Sequence, residues 1–185
     1  YRLQGRSDGD HPLRSTADMQ PWYTVKPCGE LRKSHISHCV YDSTWEATEA
    51  FRLDESPHVE AWVKNDHLGF EIHYVFQGIV RRYRPDFLVR LKAQPGLEAR
   101  TLVVEVSGGQ KSPGPTQAKA DTARDQWCVA VNNHGDWGRW GYVELGDPAS
   151  FSTQLNAAIS ALIATDSLTG MPLAGNVNIP GGATV

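Results

Sequence analysis

Tyr83-Arg84-Pro85-Asp86-Phe87-Leu88-Val89-Arg90 and, further on, Leu102-Val103-Val104-Glu105-Val106-Ser107 each join a carboxylate to a short apolar run. Both runs have the length and β-branched content of strands. The unbroken Leu102, Val103, Val104 suggests a strand covered on both faces. Asp86 opens the first strand and Glu105 lies near the end of the second. A charge in such a setting is costly unless it is paired or holds a metal. A pair of this kind is what Mg2+ takes from a protein, typically one or two carboxylates with several waters retained.

The pattern extends outward on both sides. Upstream, residues 36–41 read as a strand. Asp42-Ser43-Thr44 offers helix N-cap chemistry to a helix over about residues 44–56, and a second short helix is expected at 58–64 after Pro57. Residues 70–76 alternate, Gln77-Gly78 marks a turn, and residues 80–84 return as a hairpin partner. Downstream, Pro113-Gly114-Pro115 precedes a helix over about residues 116–132. Its inward stripe would be Lys119, Thr122, Ala123, Gln126, Trp127, Ala130 and Val131. A strand at 137–145 and an amphipathic helix at 149–163 close the series. Helices alternating with strands around a small mixed sheet predict an α/β fold.

Residues 1–33 lack periodicity and read as a linker or the tail of a preceding domain. The core domain is expected over residues 34–164, with a disordered, Gly- and Pro-rich tail at 165–185. No run approaches membrane-span length, and no apolar signal core follows Tyr1, so a soluble, cytoplasmic protein is expected. Cys28, Cys39 and Cys128 form no C-x-x-C pair, which speaks against a disulfide framework or structural zinc. The net charge of -3 is not that of a bulk nucleic-acid clamp. Arg81, Arg82, Arg84, Arg90 and Lys92 nevertheless cluster around the carboxylate pair.

The order Pro85-Asp86, then Glu105-Val106-Ser107, resembles the PD-(D/E)xK nuclease motif. The resemblance is closer still to the carboxy-terminal endonuclease domain of type III-like, DEAD/DEAH-helicase-linked restriction subunits. It also rests on Ser34-His35-Ile36-Ser37-His38, Asp42-Ser43-Thr44-Trp45-Glu46, and Trp127 through Asn132 followed by Gly138-Arg139-Trp140. It implies a restriction-endonuclease-like fold and hydrolysis of DNA with Mg2+, or with Mn2+ as its substitute. Asp86, Glu105 and the backbone carbonyl of Val106 would hold the metal. Glu46 would match the family's helix carboxylate, with Glu49 as its competitor. The resemblance further implies a helicase or translocase domain in the full protein, and a methyltransferase subunit among its partners.

One position departs from the motif, because its lysine is Ser107 here. Residues 105 and 107 share a strand face, so that lysine would sit beside the metal. Lys119, heading the inward stripe of the next helix, is the first candidate to replace it; Lys111 is the second, and no replacement is the third. Without one, the alternative is a catalytically inactive nuclease-like module that binds DNA or couples subunits. An unrelated α/β domain is the remaining reading. The histidines include no H-E-x-x-H, and Trp137 and Trp140 read as core and rim of a strand rather than as base-stacking groups.

Overall fold

A computed structural model describes residues 16, 19, 21–107 and 113–169. Its centre is a four-stranded mixed sheet of β3 (Val59–Lys64), β6 (Phe87–Leu91), β7 (Arg100–Val106) and β8 (Arg139–Leu145), in the order β3-β6-β7-β8. The pairs β3/β6 and β6/β7 are antiparallel, and β7/β8 is parallel. The parallel pair needs a crossover. The chain supplies it as α2 (Pro113–Asp121), a π-helical segment (Thr122–Trp127) and α3 (Cys128–His134). The fold is thus mixed α/β, a mixed sheet flanked by helices.

Alternation divides the side chains between two cores. Phe87, Val89, Leu102 and Val104 face α1 (Thr44–Glu55) and α4 (Phe151–Thr169), meeting Leu53, Phe151 and Leu155 there. Val103 faces the crossover helices, meeting Ala123, Trp127 and Val131. That second core is completed by a separate hairpin, β4 (Ile72–Phe76) and β5 (Ile79–Tyr83), which contributes Ile72, Tyr74 and Tyr83. Helix α1 starts on a capping arrangement. Ser43 Oγ accepts the Glu46 N–H at 3.1 Å, and the Glu46 carboxylate accepts the Asp42 N–H at 3.1 Å.

The short helix expected at 58–64 is strand β3. A register shift between Val59 and Ala61 breaks the two-residue alternation, which removes the strand signal from the sequence. The strand expected at 36–41 contracts to β2 (Cys39–Val40), paired with β1 (Cys28–Gly29). The chain therefore joins the body before residue 34. Asp54 accepts the backbone N–H groups of Arg32 and Lys33, and the Lys33 carbonyl accepts the Trp62 N–H at 2.9 Å. At the other end α4 continues through Thr169, so residues 165–169 are helical rather than part of a disordered tail. Residues 170–185 lie outside those described.

The inward stripe of the crossover helix also differs from expectation. In the π segment the Cys128 N–H reaches back to the Ala123 carbonyl. That extra residue turns the following face by about 100°. Gln126 is consequently exposed, and Cys128 is buried in its place. Where β8 begins, Gly138 has φ +71°, and a Cβ there would lie 2.2 Å from the Ala99 carbonyl oxygen, so only glycine fits.

Candidate active site

The pairing of β6 with β7 ends at Phe87 opposite Val104, which puts Asp86 and Glu105 next in line at one end of the sheet. The ladder stops there because Pro85 has no N–H to give. The Asp86 side chain takes its place: Oδ2 accepts the Val106 N–H at 2.7 Å. Within a strand a residue's N–H and C=O point to the same edge, so the Val106 carbonyl faces that side too. Asn65 fixes the other flank. Its side chain donates to the Pro85 carbonyl at 3.0 Å, and its N–H donates to the Asp86 carbonyl at 2.8 Å. Asp86 and Glu105 are thus placed by backbone register rather than by flexible loops.

Lys119 reaches this pair from α2. Its Nζ lies 2.5 Å from Glu105 Oε1, and the side chains are 19% and 5% exposed. The ammonium also sits 4.7 Å from the centre of the Tyr83 ring. Tyr83 donates its hydroxyl to Glu105 Oε2 at 2.9 Å. Burial, and then the Glu105 charge, push the Tyr83 hydroxyl well above the usual tyrosine range, so it remains a donor. Glu105 therefore meets a cation on one oxygen and a phenol on the other. The partly exposed Lys119 opens the cluster toward solvent.

Sequence reasoning missed Tyr83, although its place at the end of the hairpin, on the buried side of an alternating strand, carried the signal. It missed Glu144 and Tyr142 as well. The parallel pairing sets Glu144 beside Glu105 and Tyr142 beside Val103, all on the same face. The buried Tyr142 hydroxyl lies near that of Tyr83 without the geometry of a hydrogen bond. Nothing short of the β7/β8 register would have revealed Glu144.

Glu46 does not join Asp86 and Glu105. Its Oε2 lies 2.8 Å from Lys64 Nζ, which also donates to Asp42 Oδ2 and to the Val40 carbonyl, each at 2.7 Å. Lys64 pairs with Phe87 and shares its face, opposite to that of Glu105. The capping role explains the displacement, because the first turn of α1 turns Glu46 back toward its own N-terminus. Glu49 is elsewhere again: it is fully buried, and among the described residues neither carboxylate oxygen has a hydrogen-bond partner. Burial pushes its carboxyl up to about 7. Lys111 lies outside the described residues.

The donor set suits a hard divalent cation. Two carboxylates and one backbone carbonyl on a single edge match the few protein ligands that Mg2+ takes, its remaining positions being filled by water. Among the described residues no group of three or more His, Cys, Asp or Glu side chains is placed to hold a metal ion. The tryptophans fall largely as expected. Trp140 packs with Phe70 and Trp127, and the more exposed Trp137 stacks on His134 at 4.3 Å. Among the described residues no helix is long and apolar enough to cross a membrane. Set against known protein families, curated proteins and solved structures, the chain matches none of them.

Proposed function

We propose that this chain is a Mg2+-dependent DNA endonuclease module with a restriction-endonuclease-like fold, the cleaving part of a helicase-linked restriction system. The observation that carries the reading is the β6–β7 register, which ends with Asp86 and Glu105 next in line, Asp86 bonded to the Val106 N–H and the Lys119 ammonium 2.5 Å from Glu105. Asp86, Glu105 and the Val106 carbonyl would hold the metal, which when bound polarises a phosphate and makes water a better nucleophile. Lys119 fills the role of the motif lysine missing at Ser107. From the next helix it brings a cation to the same acids, where it steadies charge developing on the phosphate. Tyr83 orients Glu105 and supports the lysine. The helicase or translocase domain, the methyltransferase partner and a cytoplasmic location belong to this proposal through the sequence resemblance.

The test is cleavage of supercoiled plasmid by the purified chain with Mg2+ or Mn2+. Nicking by the wild type that disappears in Asp86→Ala supports the reading. If the wild type binds DNA but leaves it intact with either metal, the inactive, DNA-binding alternative replaces it.

A further inference from the structure

Beside the site stands the hairpin of β4 and β5, which is not paired with the main sheet. Its root is buried through Ile72, Tyr74 and Tyr83, the last bonded to Glu105, so the ribbon rises directly from the acidic cluster. Its tip is unlike its root. Val75, Ile79 and Val80 are 59%, 59% and 68% exposed. The two-residue turn at Gln77-Gly78, both with positive φ, keeps the ribbon narrow. Arg81, Arg82 and Arg84 line the returning strand, all exposed. Arg84 is held by Glu71 at 2.6 Å and Arg82 reaches the same carboxylate at 3.7 Å, while Arg81 lies over the Phe76 ring at 5.4 Å and, among the described residues, has no carboxylate partner. In a chain of net charge -3, this places positive charge on a projection that leads to the acids.

We infer that the β4–β5 hairpin is the duplex-contacting element of this protein, a two-stranded ribbon that enters a DNA groove and sets the backbone over Asp86 and Glu105. A major groove about 12 Å wide admits such a ribbon. Arg81 and Arg82 meet phosphates at its walls, and the aliphatic tip, which has no reason to face water, meets base edges and thymine methyl groups. The inference rests on the nuclease reading of the neighbouring site.

It is tested by fluorescence anisotropy with a duplex of about 20 base pairs, using the chain carrying Asp86→Ala so that the probe stays intact. Adding Arg81→Ala and Arg82→Ala should weaken binding about tenfold. The same pair should lower the slope of log K against log salt by about 2, one for each phosphate that is no longer neutralised. Val80→Ser should weaken binding without changing that slope. An Arg52→Ala control, on the exposed side of α1, should bind as the parent does. Binding within twofold of the parent in the arginine double variant overturns the inference. So does a tip variant that alters self-association in sedimentation but not duplex binding. If the wild type cleaves plasmid and the hairpin variants cleave equally well, the hairpin inference falls and the nuclease reading stands. If the wild type does not cleave, yet the hairpin variants lose duplex affinity, the reverse holds.

Discussion

Two lysines stand at the same end of the sheet on its opposite faces, and they are used differently. Lys64 is 6% exposed and places all three of its hydrogens, on the Val40 carbonyl, Asp42 and Glu46. Burial alone would lower its pKa, but the hydrogen bonds and charges of Asp42 and Glu46 more than offset that and raise it. The cluster is closed, tying the start of α1 to the edge strand. Lys119 is more exposed and has one carboxylate and one aromatic ring as partners. Its cluster includes acids that follow one another in the strand register, and the lysine itself reaches solvent. The same residue types therefore make a structural clasp on one face and a candidate reaction centre on the other. What separates them is exposure, 6% for the Lys64 side chain and 19% for that of Lys119.

The largest effect should come from breaking the clasp. Lys64→Met leaves the nearly buried Glu46 without its cation, while Asp42 keeps Lys26 at 2.5 Å, and should destabilise the fold by about 3 kcal/mol. Denaturant unfolding measures this. Cleavage per folded molecule should be unchanged; a fall in activity without a loss of stability would erase the contrast between the faces.

Glu49 sharpens the contrast, because it is a buried acid on the clasp side with no hydrogen-bond partner among the described residues. Its carboxyl sits at about 7, against 4.5 as the ordinary value, so the folded state binds its proton more tightly than the unfolded state does. Stability is then highest below pH 4.5 for this group, falls as pH rises from there to about 7, and carries the full penalty above that. Glu49→Gln removes the titration. The variant should match the wild type below about pH 4 and exceed it by up to about 3 kcal/mol at pH 8. Parallel stability profiles would show that Glu49 is not held in this state.

On the open face, Lys119→Ala should slow plasmid cleavage about a hundredfold. Adding Ser107→Lys, which returns a lysine to the face of Glu105, should recover part of that rate. Tyr83→Phe is the mildest change. It removes one hydrogen bond from Glu105, should cost about 1 kcal/mol of stability, and should slow cleavage about tenfold with the pH profile otherwise retained. An unchanged rate would reduce Tyr83 to a packing residue.

Much of the sheet was legible because its strands are short, apolar and bounded by Pro and Gly, and because Asp86 and Glu105 interrupt apolar runs at conspicuous points. The placement of Lys119 was legible from helical spacing, since it lies upstream of the π segment that displaced Gln126 from the same stripe. Strand β3 was not legible, because its bulge hides the alternation and its Pro57 reads as a helix start. Glu46 was read as a site residue when its local capping bonds and Lys64, distant in sequence, draw it to the other face. Glu144 depended on a parallel register that no local pattern encodes.

The comparison of the two faces is tested most directly by plasmid cleavage with Glu105→Gln and Glu46→Gln side by side, each matched for folded protein by circular dichroism. If the open face carries the chemistry, Glu105→Gln cuts more than about a hundredfold more slowly, while Glu46→Gln stays within about threefold of the wild type. A wild-type rate in Glu105→Gln, or the larger loss in Glu46→Gln, would contradict the assignment of the reaction centre to Asp86 and Glu105.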